Sequence, residues 1–269
     1  MRIEKEKIDL FQGKIINFYN TNKRELPWRL THNPYDILIS EFMLQQTQVN
    51  RVIDYYTNWI EKWSTVEALS DASFYDVVST WIGLGYNRRA KYLHETAKII
   101  VHKFKGNVLK AMKSYDQLPG IGEYTSKAVR IFAGNEDITT IDTNIRRIFI
   151  HEFNLEESTP DKDLYEIANY CLPKGKSRLW HNALMDYGAL VLTSHKTGIK
   201  PKTKQSKFAG SDRQIRGQIL RLLLKKSYSI DELNAYFRID INRLKTILNK
   251  MIQDNIIQNN DDIFYLMKE

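Results

Sequence analysis

The chain has 269 residues, of which 42% are hydrophobic and 12% aromatic; this composition allows a substantial core and excludes a wholly disordered chain. Forty Lys and Arg residues against 32 Asp and Glu residues give a formal net charge of +8, which favours a polyanionic partner such as a nucleic acid. A single cysteine excludes an intrachain disulfide and any cluster held by several cysteines.

The N-terminal part of the chain is predicted to be helical, and no targeting signal is expected there. Met1 to Lys5 lacks the apolar core of a signal peptide, and no apolar run approaches the roughly 20 residues that span a bilayer. We therefore expect a soluble, intracellular protein. Over residues 1–193 the apolar side chains recur at helical spacing, as at Leu10, Phe11 and Ile15, which predicts an all-α domain.

An acidic residue lies inside an apolar helical stretch near the start of this domain. Burial of Glu41 would raise its pKa, because desolvation disfavours the charged form. A carboxylic acid that stays protonated near neutral pH can act as a general acid. The alternative, a glutamate on the helix surface, is disfavoured because the neighbours leave little polar face. These neighbours are Ile37, Leu38, Phe42, Met43 and Leu44.

Two glycines lie between two predicted helices, at 109–116 and 123–133. In Leu118-Pro119-Gly120-Ile121-Gly122 they allow a tight turn whose amides point outward, where a phosphate oxygen can approach. The following helix begins at Glu123, and a helix N-terminus favours an anion. An ordinary turn is the alternative. The continuation Tyr124 to Val129 favours a helix-hairpin-helix, which clamps the DNA backbone independently of sequence.

Some twenty residues further on, an aspartate stands where a helix should begin. Asp142 in the run Ile138 to Arg147 is suited to cap that helix, and a capping role alone is one interpretation. The second interpretation depends on the hairpin upstream. A carboxylate held beside a DNA clamp can face the sugar of an extruded nucleotide and stabilise positive charge at its C1′ atom.

The segment 194–211 marks a boundary. Gly198 and Pro201 interrupt any helix there, and lysines occur without an acidic partner. A solvated linker is the favoured interpretation, and a strap that contacts phosphate groups is a compatible second one. The lysines are Lys196, Lys200, Lys202, Lys204 and Lys207.

Residues 212–269 predict a second, winged-helix-like domain. Three helices are expected: one at about 212–226, a short one that begins after the capping residue Ser229, and one at about 241–253. A hairpin between Ile256 and Leu266, with its turn at Asn259 to Asp262, is expected to follow them. Basic and acidic residues nearly balance in this segment. DNA contact and a role in protein packing therefore both stay open.

Together these segments resemble the helix-hairpin-helix DNA glycosylases, and most of all the A/G-specific adenine glycosylases of the MutY type. The resemblance spans about 26–192 and implies a two-lobed all-α fold. It is carried by Leu26-Pro27-Trp28-Arg29, Ser40 to Val49, Trp81 to Tyr86, Leu118 to Thr125, Ile141 to Arg147 and Asn182 to Leu190.

The resemblance implies a role for each central residue. Glu41 would protonate the flipped adenine at N7, and Asp142 would stabilise the oxocarbenium-like sugar, as two carboxyl groups do in glycoside hydrolysis. Tyr124 stands where bifunctional relatives carry a Schiff-base lysine, and Lys127 is a poor substitute, so a monofunctional glycosylase is expected. Residues expected to contact DNA are Arg29, Gln45, Gln46, Thr47, Leu84, Tyr86, Gly120, Gly122 and Thr125. Tyr86 could instead belong to the core.

Two departures from the family pattern affect cofactor and specificity. Most relatives hold a [4Fe–4S] cluster on four cysteines, whereas Leu192 stands at the first expected position and Cys171 cannot ligate a cluster alone. No cluster is therefore expected; a monovalent cation at the hairpin is the one ion that the resemblance implies. The nucleotide-hydrolase-like domain that reads 8-oxoguanine has no counterpart here, so discrimination of 8-oxoguanine from guanine stays open.

Other functions remain in competition. A thymine or uracil glycosylase at G:T and G:U mismatches would share Glu41, Tyr124 and Asp142, and only the run Gln45 to Gln48 favours adenine. A non-catalytic DNA-binding protein is disfavoured because both carboxyl residues are present. We expect a monomer that binds double-stranded DNA with a mispaired or damaged base, in the cytoplasm at the nucleoid.

Overall fold

The computed structural model describes residues 4–202 and 207–267, and most of them are helical, in agreement with the predicted fold class. The helices are α1 Lys5–Asn22, α2 Pro34–Leu44, α3 Val49–Lys62, α4 Val66–Ser70, α5 Phe74–Trp81, α6 Arg88–Phe104, α7 Val108–Met112, α8 Glu123–Gly134, α9 Thr143–Glu152, α10 Asp161–Tyr170, α11 Ser177–Leu190, α12 Ser194–Thr197, α13 Asp212–Leu223, α14 Ile230–Phe237 and α15 Ile241–Gln253. Short 3-10 turns lie at Pro27–Arg29 and Tyr115–Gln117, and the strands are β1 Tyr228–Ser229, β2 Ile257–Asn260 and β3 Ile263–Leu266.

The described residues group into two compact units, each built from distant segments of the chain. The first unit contains residues 4–41, 109–115 and 121–202, and the second unit contains residues 42–108, 116–120 and 207–267. The predicted domain boundary at 194–211 stays a prediction. Lys204 lies outside the described residues, and 194–197 forms α12.

The core of the first unit joins its first helix to helices near the end of the unit. Phe11 and Ile15 of α1 are buried, as their helical spacing predicts. The ring of Phe11 packs edge-on against Trp180 at 5.6 Å between centroids and against Phe153 at 5.2 Å. Aromatic pairs in this geometry add to the free energy of burial. The packing holds α9 and α11 in place around α1.

A buried ion pair fixes the segment before α2 in the same unit. Asp186 of α11 is completely buried. Its carboxylate accepts two hydrogen bonds from the guanidinium of Arg29, both at 2.7 Å, and one from Arg24 Nε at 2.6 Å. Burial alone raises the pKa of Asp186, but these hydrogen bonds and charges lower it below its ordinary value. The carboxylate therefore stays ionised between its two arginines.

The second unit combines α3 and α5 with the C-terminal residues. Trp59 and Trp81 pack edge-on at 5.6 Å between centroids. On the other side of α5, Phe74 and Val78 share an apolar core with residues of α13 and α15, among them Ile219. Part of the core around the C-terminal residues is therefore contributed by α5.

Within residues 207–267, three helices and a small sheet form the predicted winged-helix-like arrangement. The strand order is β1-β3-β2, with antiparallel pairing throughout. Ser229 caps α14 in a complete capping box with Glu232, as predicted. The hairpin turn is shorter than predicted: Asn260 belongs to β2, and only Asp261 and Asp262 turn the chain, with φ of 48° and 62°.

None of the helices in the described part of the chain is both long enough and apolar enough to cross a membrane.

Replacing Asp186 by Asn should destabilise the protein by about 3–5 kcal/mol, because two guanidinium groups then lose their buried counter-charge. The measurement is the free energy of unfolding from urea titration. Asp161→Asn is the control, since Asp161 forms an exposed ion pair with Lys202 at 2.5 Å and should lose no more than about 1 kcal/mol. Equal losses in the two variants would contradict a structural role for the buried pair.

Candidate active site

Asp142 is the N-cap of α9, as the sequence predicts. It has extended backbone dihedrals, and one carboxylate oxygen accepts the backbone N–H of Ile145 at 2.7 Å. The other oxygen accepts a hydrogen bond from Asn144 Nδ2 at 3.1 Å. Burial raises the pKa of Asp142, and these hydrogen bonds together with the charge of Arg147 act in the opposite direction. The cap fixes where the carboxylate points, so capping and chemistry are compatible.

Glu41 is buried in α2, with 8% of its surface exposed. Its neighbours Ile39 and Phe42 are completely buried. Burial, followed by repulsion from the negative charge of Asp142, raises the pKa of Glu41 to about 8. Glu41 and Asp142 both belong to the first unit. The two carboxyl residues, distant in the sequence, are therefore close enough for one to influence the charge of the other.

The third predicted residue belongs to the same cluster. Tyr124 lies in the first turn of α8. Burial raises its pKa well above 10, and the charges of Glu41, Asp142 and Tyr165 raise it further. Helices α2, α8 and α9 thus each contribute one side chain to the group. The phenol is uncharged at neutral pH and supplies no amine nucleophile.

The two carboxyl groups have different surroundings, which decides where a shared proton resides. Both forces that act on Glu41 favour its protonated form. Asp142 gains hydrogen bonds in its ionised form from Ile145 and Asn144, and it lies at a helix N-terminus, where an anion is stabilised. We therefore assign the proton to Glu41 and the negative charge to Asp142. The cluster thus contains one acid and one anion.

Lys127, one turn after Tyr124, is held by other groups. Its Nζ atom forms an ion pair with Glu123 at 2.7 Å and lies 4.7 Å from the centroid of the Tyr165 ring. A lysine that attacks a sugar must first lose its proton. The carboxylate of Glu123 and the ring of Tyr165 both already contact the ammonium group. Lys127 is thus poorly suited to replace a Schiff-base lysine.

The two glycines of the hairpin occupy positions with different structural requirements. Gly120 has φ of +73°, and a Cβ there would lie 2.9 Å from side-chain atoms of Tyr92, so its conformation and its space both require glycine. Gly122 is the N-cap of α8 with φ of −99°, and a Cβ there would meet nothing within 4 Å. Packing does not explain Gly122, whereas close approach of a ligand to the backbone would. Thr125 is buried.

The predicted glutamine segment lies in the second unit, where Arg89 organises it. Arg89 Nη1 donates to the carbonyl oxygens of Phe42, Met43 and Gln45 at 2.7, 3.0 and 2.6 Å, and Nη2 donates to Thr47 Oγ1 at 2.9 Å. The guanidinium thus satisfies the carbonyls at the end of α2. Sequence reasoning missed Arg89; the signal was an arginine three residues after the Gly83-Leu84-Gly85-Tyr86 run.

The second unit brings Gln45, Gln46 and Tyr86 together on the wall of one cavity of about 510 Å³. Gln45 Nε2 also donates to the carbonyl of Gly120 at 3.3 Å. Tyr86 is half-buried, with φ of +50°, and so is not a plain core residue. Leu84, by contrast, is buried with 4% of its surface exposed.

Arg29, one of the predicted DNA contacts, forms an ion pair within the first unit. Its side chain is 10% exposed and donates two hydrogen bonds to the carboxylate of Asp186. A guanidinium already engaged by a buried carboxylate and the carbonyl of Arg24 has little to offer a phosphate group. The ion pair gives the segment Leu26 to Arg29 a structural role, because it anchors the chain before α2; contact of Arg29 with DNA stays a prediction.

The residues present do not fit an iron–sulfur cluster. Such a cluster needs four thiolate ligands, and the sequence holds one cysteine. Cys171 is buried, and burial raises its pKa to about 12. Leu192, at the position of the first expected ligand, packs into the apolar core of the first unit. Over 4–202 and 207–267, no group of three or more His, Cys, Asp and Glu side chains is placed to hold a metal ion.

Glu41→Gln should stabilise the folded protein, and the gain should grow with pH. Between the unfolded value of 4.5 and the folded value of about 8, the folded protein binds the extra proton, so the free energy of unfolding of the native sequence falls as pH rises. Glutamine removes that cost, which amounts to about 3 kcal/mol at pH 7. Urea titrations at pH 5 and pH 7 measure the difference.

Glu25→Gln is the matched control for this comparison, because Glu25 is exposed in the same unit. We expect its effect on stability to be small and similar at the two pH values. A Glu41→Gln variant that is less stable than the native protein at both pH values would show that Glu41 is not buried as a neutral acid.

The chain is similar to several known proteins. The model of the HhH-GPD superfamily of base excision DNA repair proteins matches residues 39–173. The chain is 32% identical to an adenine DNA glycosylase of Mycolicibacterium smegmatis over 93% of each chain. It is 36% identical to an adenine DNA glycosylase of Buchnera aphidicola over 68% of this chain and 53% of that protein, so it spans about half of the latter's length.

A solved structure is similar as well. The structure of a thermostable thymine-DNA glycosylase superposes with a TM-score of 0.65 and 30% identity, over 71% of this chain and 90% of that chain. The curated relatives and the solved structure thus carry names that refer to different bases.

Proposed function

The chain belongs to the HhH-GPD superfamily of base excision DNA repair proteins, and we propose that it is a DNA glycosylase that removes adenine mispaired with 8-oxoguanine or guanine in duplex DNA. The observation that carries the proposal is the burial of Glu41 within reach of the charge of Asp142, which together raise the pKa of Glu41 to about 8, beside the hydrogen bonds that favour an ionised Asp142. Cleavage of an N-glycosidic bond needs a proton for the leaving base and a negative charge for the sugar cation, and these two residues supply one each.

The reaction follows from these two charges. The target nucleotide is first flipped out of the duplex. Glu41 gives its proton to N7 of adenine, the bond between C1′ and N9 breaks, and its electron pair leaves with the base. Asp142 stabilises the positive charge left on the sugar. Water then adds its oxygen to C1′, and its proton returns to the carboxylate pair.

Strand cleavage is not part of the proposed activity. An imine with the sugar requires a free amine, and Tyr124 offers a phenol while Lys127 is engaged by Glu123 and Tyr165. We propose that the enzyme is monofunctional, works without an iron–sulfur cluster, and acts as a monomer. A monovalent cation bound by hairpin carbonyls is the one ion that the proposal includes.

Thymine removal at G:T mismatches is the second candidate. The structural similarity to a thermostable thymine-DNA glycosylase favours it, and Glu41, Tyr124 and Asp142 do not discriminate between the two activities. The adenine DNA glycosylase of Mycolicibacterium smegmatis matches a larger share of the chain at similar identity, and the run Gln45 to Gln48 matches the adenine enzymes. We therefore place adenine first.

Duplexes that contain A:8-oxoguanine, A:G, G:T and G:U pairs test the substrate. We expect free adenine from the first two duplexes and no thymine or uracil, with strand breaks appearing only after alkali treatment. Glu41→Gln and Asp142→Asn should each lower single-turnover release by at least about 10³-fold, because each removes one of the two charges that the transition state requires.

Both variants should still bind the mispaired duplex, which a gel-shift titration measures. Release of thymine instead of adenine would replace the main proposal with the second candidate. Full activity in either variant would remove that residue from the mechanism.

Base release should depend on pH as a bell-shaped curve. The rate should fall tenfold per pH unit above about 8, where Glu41 loses its proton. It should fall at acid pH as Asp142 becomes protonated, and the two apparent pKa values belong to the pair rather than to either residue. Single-turnover rates from pH 4 to pH 10 measure the curve, and duplex affinity over the same range controls for loss of binding. A flat rate through pH 8 to 10 would contradict Glu41 as the acid.

A further inference from the structure

The segment 138–141 lies between α8 and α9 in the first unit, and a histidine of α11 holds it. The backbone N–H of Thr140 donates to Nε2 of His181 at 3.3 Å. Thr140 lies two residues before Asp142, whose carboxylate the proposed mechanism uses. His181 and Thr140 are each 1% exposed, so bulk solvent does not compete for this hydrogen bond. The imidazole is therefore connected to the active site through one short stretch of backbone.

We propose that His181 is a positioning residue for Asp142: its imidazole holds the N–H of Thr140, fixes the chain where it enters α9, and so fixes the place of the carboxylate. The role of the carboxylate rests on the proposed function, whereas its position rests on hydrogen bonds within the first unit. His181 acts through the backbone and takes no part in the transfer of protons.

The two hydrogen bonds of His181 require one neutral tautomer. Nδ1 lies 2.7 Å from the carbonyl oxygen of Ser177, which can only accept, so Nδ1 carries the proton. The N–H of Thr140 can only donate, so Nε2 carries no proton. Burial lowers the pKa of His181 to about 4, which keeps the ring uncharged at neutral pH. The free ring nitrogen is thus matched to a backbone donor.

The imidazole is itself held in one orientation. Its Nδ1–H is bound within α11, to the residue four positions earlier. Phe132 of α8 packs edge-on against the ring, with 6.5 Å between the centroids. A ring that contacts two helices can present its acceptor without first losing conformational freedom.

The same segment has two earlier anchors. Ser177 Oγ donates to the carbonyl oxygen of Ile138 at 3.2 Å. Thr139 Oγ1 donates to Asn169 Oδ1 of α10 at 2.5 Å. Of these three hydrogen bonds, the one to the imidazole lies closest in the sequence to the N-cap of α9. The imidazole therefore has the most direct influence on how the chain enters that helix.

Two substitutions at His181 separate the hydrogen bond from the packing. Glutamine can present an amide oxygen to the N–H of Thr140, whereas leucine offers no acceptor. Both favour a helix more than histidine does. His181→Leu should lower single-turnover base release by about 10- to 100-fold and leave duplex affinity within about twofold, because a misplaced carboxylate weakens the transition state rather than binding. His181→Gln should stay within about threefold of the native rate, since the acceptor is kept.

The pH profile distinguishes positioning from a general loss of structure. The cap hydrogen bonds oppose the effect of burial on the pKa of Asp142. Loosening the cap should therefore raise that pKa and move the acid limb of base release to higher pH in His181→Leu. The alkaline limb should stay near pH 8, because burial is the main cause of the raised pKa of Glu41. An acid limb at its native position in His181→Leu would overturn the proposal.

His94 is the matched control for the loss of a buried neutral histidine. It is 3% exposed, belongs to the second unit, and burial lowers its pKa to about 4 as well. His94→Leu should reduce the free energy of unfolding but change neither the rate nor the acid limb. An equal loss of rate in His94→Leu and His181→Leu would overturn the role of His181, because the rate would then follow stability.

A second variant covers the case in which His181→Leu does not fold. His181→Asn keeps an amide that can donate to the carbonyl oxygen of Ser177, but its shorter side chain does not reach Thr140. It should reproduce the loss of rate and the shift of the acid limb. Native behaviour in His181→Asn would overturn the proposal.

A measurement without DNA separates this inference from the proposed function. The carboxyl ¹³C resonance of Asp142, assigned by its absence in Asp142→Asn, reports the pKa of that group. If the native protein releases adenine, and His181→Leu has the native rate and the native Asp142 pKa, only the role of His181 is wrong. If the native protein releases no base, but the pKa of Asp142 rises in His181→Leu and not in His181→Gln, the positioning holds and the glycosylase proposal fails.

Discussion

One proton held unequally by a buried carboxyl group, Glu41, and a half-buried one, Asp142, is the interaction on which the chemistry depends. Burial and the charge of Asp142 both favour the protonated form of Glu41. Asp142 accepts hydrogen bonds that favour its ionised form. If both groups had the same surroundings, their mutual repulsion would leave neither role defined. The N-cap geometry of Asp142 therefore does more than begin α9. It decides which residue is the acid and which is the anion.

This arrangement costs stability and needs support from the rest of the first unit. A glutamate held neutral below its folded pKa makes the folded state less favourable around pH 7 than an amide would. The buried pair of Asp186 with Arg29 and the aromatic packing of Phe11 against Trp180 supply that support. Arg29 belongs to a predicted binding motif, but its charge also stabilises the fold through the ion pair with Asp186.

The C-terminal residues change how the second unit is understood. They share a core with α5, and Arg213 contacts Tyr86 across a distance of more than a hundred residues in the sequence. A segment that reads as a nearly neutral appendage thus becomes a wall of a cationic cavity. Overall charge did not reveal this, because a local excess of cations arises from which residues the fold brings together.

The sequence by itself determined the helical fold, the hairpin glycines, the cap at Asp142 and the acid character of Glu41. Each of these features depends on neighbours along the chain. The helices follow from the spacing of apolar residues, the turn from a glycine that adopts a positive φ at Gly120, and the cap from a side-chain oxygen of Asp142 close in sequence to the unpaired N–H groups of α9. Only the tertiary structure decided that Glu41 and Asp142 influence each other's charge. It also decided that Arg29 forms an ion pair with Asp186, and that the guanidinium groups of Arg89 and Arg213 contact the Tyr86 ring. These facts depend on contacts between distant segments, and periodicity, composition and spacing carry no information about such contacts.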